Sequence, residues 1–179
     1  EGGGAGAGGG VGARADRDEA RSGCGAQLGR AIRGGFDVCH LSTHLGALQT
    51  RPEFFDVLLD LAVGHRLPIR LEGGDAETLA GFPFRALAAE EGVLTVDHHR
   101  LRPLADPDAL ERQAMDLEPG VTEIVVEPAV DTPELRAICD NWGRRVDHRD
   151  LACGNSEMRA DPQRGHARLI NWRHARHAQ

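Results

Sequence analysis

Two histidines four residues apart, His40 and His44, lie where an apolar run gives way to a turn that contains Gly46. Neutral imidazole is the commonest side-chain metal ligand and a common acid–base group in catalysis. Placed at the end of a buried strand, the two rings can face a ligand held above the sheet. The spacing fits a core histidine that hydrogen-bonds to a neighbour equally well, so the residues alone leave both interpretations open.

Further polar candidates follow two other apolar runs, at residues 93–96 and 121–126. His98 and His99 are adjacent, and neighbouring side chains of an extended chain point to opposite sides, so we expect at most one of them to face a site. We take His98 as the substrate-binding candidate and Glu127 as the catalytic one. The carboxylate of Glu127 needs a cation, a donor or water, and an active-site rim or a salt bridge to an arginine would each meet that need. The remaining histidines of the polar segments are expected on solvated surface: His148, His166, His174 and His177.

Strand and helix signals alternate along the chain, which predicts an α/β fold with parallel strands, either an open doubly wound sheet or a barrel. Thr50 and Glu53 have the spacing of a capping box before the clearest helix. Ligands of such folds bind at the carboxyl ends of the strands, so we expect the candidate residues on one face. The predicted strands cover residues 36–41, 68–71, 93–96, 121–126 and 168–170. The predicted helices cover residues 26–33, 52–64, 76–91 with a break near Pro83, 106–117, a stretch from Pro133, and 172–178.

Composition limits the classes of function. The 179 residues carry a net charge of -7, which disfavours nucleic acid as a partner, and no apolar stretch is long enough to span a bilayer. Four cysteines without a C-x-x-C pair predict free thiols in a reducing compartment, so we expect a cytoplasmic protein. Residues 1–23 are rich in glycine and predict a disordered leader, followed by one domain over residues 24–179.

Several segments resemble the YdjC-like (ChbG/HpnK) carbohydrate deacetylases. Residues 37–46 (DVCHLSTHLG) resemble that family's T-H-x-D-S-H segment, and residues 51–59 (RPEFFDVLL) resemble its next helix. Residues 119–131 (PGVTEIVVEPAVD) resemble its P-G-V-T-E segment, which residues 134–137 continue. Similar segments in the same order make the resemblance fairly specific.

The resemblance implies a (β/α)-barrel-like hydrolase that removes the acetyl group from a small N-acetylated carbohydrate. In that family a divalent cation, Mg²⁺ or alternatively Zn²⁺, activates water for the attack. By this resemblance His44 is the leading metal ligand, and His40 is its neighbour or supports it.

The chain departs from the family pattern in three ways. Ser42 stands where the family has Asp, and Glu127 stands where it has His before Pro. The family's opening A-D-D-F-G segment has no counterpart, so we expect a fragment or a decayed relative with an incomplete barrel, whose exposed edges favour association of copies. Two alternatives to the deacetylase therefore stay open: a relative that binds sugar or metal without turnover, and an unrelated α/β binding module.

Overall fold

The computed structural model describes residues 16–73, 75–101, 117–153 and 170–179. These residues belong to two compact units, where the sequence predicts one domain over residues 24–179. The first unit runs to Val96 and takes in Ile170–Gln179, and the second covers Asp97–Leu169. Helices of the first unit are α1 (Arg17–Arg33), α2 (Pro52–His65), α3 (Ala76–Ala80), α4 (Phe84–Glu90) and α7 (Trp172–Ala178), with strands β1 (Leu41–Ser42) and β2 (Ile69–Arg70). The second unit has β3 (His98–Leu101), β4 (Thr122–Val125), α5 (Pro133–Ile138) and α6 (Trp142–Cys153).

Helix α1 begins well before the position that the sequence predicts. Asp16 caps it, because its carboxylate accepts hydrogen bonds from the backbone N–H groups of Asp18 and Glu19 at 2.7 and 3.0 Å. The predicted start near Ala26 is therefore wrong, and residues 17–23, which composition assigns to a disordered leader, are helical. An N-cap of this type satisfies unpaired N–H donors of the first turn, and this stabilisation offsets the low helix propensity of the glycines that follow. Residues 1–15 lie outside the described residues.

Helix α2 supplies more of the core of the first unit than any other element, and its prediction is confirmed. It buries Phe54, Phe55, Val57, Leu58, Leu59 and Ala62. The expected capping box does not form, because Arg51 occupies the N-cap position without a side-chain hydrogen bond, and the Thr50 hydroxyl donates to the carbonyl of Ala47 instead. Pro52 at the first helical position has no N–H to satisfy, and the N–H of Phe54 donates to the carbonyl of Arg51 at 3.1 Å.

Strands β1 and β2 form a parallel ladder in which Leu41 pairs with Ile69 and Ser42 with Arg70. Ile69 is fully buried against Phe55 and Phe84 in the core cluster. The predicted strand over residues 36–41 is wrong for residues 36–40, which join no ladder, and the side chain of Phe36 is 72% exposed. The break near Pro83 between α3 and α4 is confirmed.

In the second unit β3 and β4 are also parallel, with His98 opposite Thr122 and Leu101 opposite Val125. The prediction of β4 is confirmed, whereas the strand predicted at residues 93–96 is displaced, because the ladder begins at His98. The single helix predicted after Pro133 is two helices, since Cys139 has extended backbone. The helix predicted at residues 106–117 and the strand at residues 168–170 lie almost wholly outside the described residues.

The described ladders are both parallel and both lie in a mixed helix and strand context, so the α/β class is confirmed. The barrel implied by the resemblance stays a prediction. Among the described residues, no helix has the length and apolar character needed to cross a membrane.

Candidate functional site

The chain turns sharply at the carboxyl end of β1, and His44 stands at this turn. His44 opens a 3₁₀ segment, His44–Gln49, in which Leu45 and Gly46 have left-handed backbone with φ of 52° and 65°. Such a conformation costs a residue with a Cβ about 1 to 2 kcal/mol, so the fold holds Leu45 there against its own preference. The side chains of His44 and Leu45 are exposed as a result, and Leu45 is 57% exposed.

A cleft of about 220 Å³ lies where β1 and β2 end and α3 begins. Its lining consists of Leu45, Gly46, Gln49, Thr50, Glu72, Ala76, Leu79 and Ala80. His44 directly precedes Leu45 but is not itself part of the lining. Most of the lining is apolar, while Gln49, Thr50 and Glu72 contribute polar side chains. The position agrees with the expectation that ligands of parallel strands bind at their carboxyl ends.

The wall of the cleft is a hydrogen-bonded unit. The side-chain oxygen of Gln49 accepts from the backbone N–H of Glu72 at 2.8 Å, and its amide nitrogen donates to the Thr43 hydroxyl at 3.3 Å. The Glu72 carboxylate lies 3.4 Å from the guanidinium of Arg70, and both side chains are largely buried. Gly46 permits the approach of Glu72, since a Cβ on Gly46 would lie 3.0 Å from its Cγ.

Arg85 fixes the same wall from α4, and nothing in the sequence pattern distinguishes it from the other arginines. Its guanidinium donates to the carbonyl of Glu72 at 2.9 Å and to that of Val96 at 2.8 Å. Its backbone N–H donates to the carboxylate of Glu77 at 2.7 Å. Hydrogen bonds from a charged donor are the stronger ones, so Arg85 holds the segment after β2 in place.

His40 does not lie in the lining of this cleft. Its ring stacks on Trp172 of α7, with centroids 4.6 Å apart and planes inclined by 11°. Its Nδ1 lies 3.4 Å from the Sγ of Cys39. The structure thus gives His40 packing partners of the kind expected for a structural histidine, and leaves its predicted role as a metal ligand untested.

In the second unit the two adjacent histidines have different surroundings. The side chain of His98 is 28% exposed; its Nδ1 lies 3.2 Å from the carboxylate of Glu118, and its Nε2 lies 3.2 Å from the carbonyl oxygen of Pro119. The side chain of His99 is fully buried, with Nε2 3.2 Å from the carboxylate of Glu123. A strand sends neighbouring side chains to opposite faces, which accounts for the difference and leaves His98 as the substrate-binding candidate.

Glu127 lies just after β4, and helix α6 contacts it in two places. The guanidinium of Arg145 lies 3.2 Å from the Glu127 carboxylate. This is the salt bridge to an arginine that the sequence analysis gave as one of two possibilities for Glu127. The Glu127 backbone N–H donates to Nδ1 of His148 at 3.0 Å. His148 is only 4% exposed, so its assignment to solvated surface is wrong. Its Nε2 is buried without a hydrogen-bond partner.

A divalent cation needs more donors than these surroundings assemble. Zn²⁺ takes about four ligands and Mg²⁺ about six, yet the part of the chain that the structure describes contains no group of three or more His, Cys, Asp or Glu able to hold a metal ion. The described donor set therefore does not fit the metal centre that the resemblance implies. His44 belongs to the first unit and His98 and Glu127 to the second, so their convergence on one face stays a prediction.

A family model described as YdjC-like protein matches residues 8–160, which is most of the chain. A search of curated proteins finds no match.

Proposed function

The chain belongs to the YdjC-like family, and from this premise we propose that it is a carbohydrate deacetylase-type hydrolase that removes an acetyl group from a small N-acetylated sugar. The observation that carries the proposal is the cleft at the carboxyl ends of β1 and β2, whose lining begins at Leu45, the residue after His44. That edge of a parallel sheet is where ligands of α/β folds bind.

The size and lining of the cleft suit one sugar residue. Pockets for drug-sized ligands hold about 300 to 1,000 Å³, so a volume of about 220 Å³ fits one ring of an oligosaccharide. Leu45 and Leu79, exposed by 57% and 86%, offer apolar surface to the C–H face of a sugar. The Glu72 carboxylate accepts hydrogen bonds, as a sugar hydroxyl requires.

Hydrolysis of an acetamide needs a water molecule to attack the carbonyl carbon, an acceptor for the proton of that water, and a proton for the departing amine. His44 adjoins Leu45 of the cleft lining, and we assign its imidazole the role of accepting a proton from water. In the second unit, Glu127 remains the catalytic candidate and His98 the substrate-binding candidate. The proposal includes a divalent cation, Mg²⁺ or Zn²⁺, as cofactor, but we assign no step to it because the described donors do not complete its site.

A second candidate function is sugar binding without turnover. It is favoured by the partners of two predicted site residues, because the metal-ligand candidate His40 is stacked on Trp172 and the catalytic candidate Glu127 is paired with Arg145. The Glu127 carboxylate thus already has a cationic partner. For both candidate functions we propose that the partner is a carbohydrate, not nucleic acid or membrane, and that copies of the chain associate. We also propose a cytoplasmic location, because the free thiols of Cys24, Cys39 and Cys139 would persist there.

The experiment measures acetate release from the N-acetylglucosamine dimer, with and without added Mg²⁺ or Zn²⁺, and measures binding of the same dimer by calorimetry. We expect His44→Ala and Glu127→Gln to abolish release and Glu72→Gln to weaken binding. His65→Ala, an exposed histidine at the end of α2, is the matched control and should behave as wild type. Binding without release by the wild type would replace the first function with the second, and absence of both would overturn both.

A further inference from the structure

The C-terminal helix α7 lies beyond residues 8–160, the part of the chain that the family model matches. It begins with a cap of its own, since the Asn171 side chain accepts from the backbone N–H groups of Arg173 and His174 at 3.1 and 3.3 Å. A helix of seven residues is marginal by itself in water. Its contacts with the rest of the first unit therefore decide whether α7 forms.

Those contacts converge on the segment that leads into β1. Arg176 donates to the carbonyl of Val38 at 2.9 Å and to the carboxylate of Asp37 at 3.2 Å. Arg173 lies 2.6 Å from the other carboxylate oxygen of Asp37. The ion pairs are exposed, and such pairs contribute about 0 to 1 kcal/mol each. These ion pairs contribute mainly by fixing the position of α7, because two guanidinium groups on one helix bind the same carboxylate.

Trp172 completes this contact by covering His40. The two rings are nearly parallel, with centroids 4.6 Å apart, which is the offset-stacked arrangement that aromatic pairs favour. At the edge of the imidazole, Nδ1 of His40 lies 3.4 Å from Sγ of Cys39. The face and one edge of the His40 ring are thus both restrained.

The position of His40 determines the path of the chain toward His44. β1 pairs with β2 over two residues only, and residues 36–40 join no ladder. A ladder this short fixes the direction of the backbone weakly, so the approach to β1 depends on the side-chain contacts with α7.

We propose that Trp172 is a positioning residue of the candidate site, which holds His40 and thereby the backbone that leads through β1 and His44 to Leu45 in the lining of the cleft. This inference rests on the proposed function, because it assigns α7 to the sugar-binding machinery. A purely structural α7 would stabilise the unit and leave the affinity for sugar unchanged.

The test compares Trp172→Leu, which removes the aromatic face but keeps apolar volume, with Trp172→Phe, which keeps a stacking ring. His177→Ala, on the exposed part of the same helix, is the control. The first readout is the NMR shift of the His40 ring protons, which an adjacent indole moves upfield. The second is the affinity for the N-acetylglucosamine dimer, and thermal unfolding is recorded for every variant.

We expect Trp172→Leu to lose the upfield shift and to bind the dimer about tenfold more weakly at a temperature where it remains folded, since small misplacements of binding groups are costly. Trp172→Phe should restore most of both values, and His177→Ala should match wild type. Wild-type affinity in a folded Trp172→Leu protein, or an unchanged His40 shift, would overturn the inference alone. A wild type that does not bind the dimer would overturn the proposed function and this inference with it.

Discussion

Nδ1 of His148 accepts a hydrogen bond from the backbone N–H of Glu127 over 3.0 Å, so helix α6 fixes the chain where it leaves β4. An imidazole nitrogen that accepts cannot carry the proton, which places the proton of the neutral ring on Nε2. Arg145, on the same helix, holds the Glu127 carboxylate at 3.2 Å. One helix thus restrains both the backbone and the side chain of the catalytic candidate.

Substitutions of His148 should show how much its Nδ1 acceptor contributes to the free energy of unfolding. In His148→Asn the amide oxygen can occupy the place of Nδ1, whereas His148→Leu leaves the Glu127 N–H without its partner. We expect His148→Leu to lower the free energy of unfolding by about 1 kcal/mol more than His148→Asn. Denaturant unfolding measures both. Equal stabilities of the two variants would mean that water replaces the acceptor at no cost.

Gly46 and Gly64 form a matched pair for substitution by alanine. Gly46 has φ of 65° and would place a Cβ 3.0 Å from Cγ of Glu72, so Gly46→Ala should cost about 1 to 2 kcal/mol and narrow the cleft. Gly64 lies in α2 with nothing within 4 Å of the added Cβ, so Gly64→Ala should stabilise by up to about 1 kcal/mol. Thermal unfolding and affinity for the N-acetylglucosamine dimer measure the two effects. A stabilising Gly46→Ala would contradict the assigned backbone.

The pair formed by Asp131 and Arg136 should make stability depend on pH. Hydrogen bonds of 2.7 and 2.6 Å from the Arg136 guanidinium hold the pKa of the Asp131 carboxyl below its ordinary value. A lowered folded-state pKa contributes stability above the unfolded value, about pH 3.9, and that contribution is lost as the pH falls through the folded value. Both groups are exposed, so the effect is small and screened by salt.

Asp131→Asn should therefore reduce stability slightly at neutral pH and not at all in strong acid. Unfolding curves of the two proteins across the acid range test this, and carbon NMR of the carboxyl group reports the pKa directly. A wild-type pKa at or above that of an unstructured peptide would refute the prediction.

The thiol of Cys24 should be slow to alkylate. Partial burial in α1 raises the pKa of the Cys24 thiol, because the charged thiolate loses hydration. Alkylation proceeds through the thiolate, so the pH profile of the rate for native protein should lie at higher pH than that of the denatured chain. Mass spectrometry of the labelled peptide measures both profiles, and coincident profiles would show that burial does not affect the thiol.

Local patterns predict the elements whose signal is contained within one stretch of chain. Apolar residues at helical spacing predict α2, the break at Pro83 separates α3 from α4, and the β-branched run predicts β4. The errors lie where local signals compete with contacts elsewhere. Asp16 extends α1 into a glycine-rich segment, and residues 36–40 join no ladder; among them, the carbonyl of Val38 accepts a hydrogen bond from Arg176 of α7.

The candidate site divides in the same way. The sequence identifies His44 as the histidine at the end of the first strand, and it leaves open the salt bridge that Glu127 makes with Arg145. It does not reveal the buried His148 or the contact of Arg85 with Glu72, because these partners are far apart along the chain and no periodicity links them.

The α/β class, the parallel pairing of the strands and the family follow from residue order and local spacing, so they can be predicted without the fold. The stacking of His40 on Trp172 and the bond of Arg176 to the carbonyl of Val38, 138 residues away, become visible in the folded chain. The partner of a side chain depends on which surfaces the folded backbone brings together, so arginines in similar local sequence cannot be told apart before the fold is known.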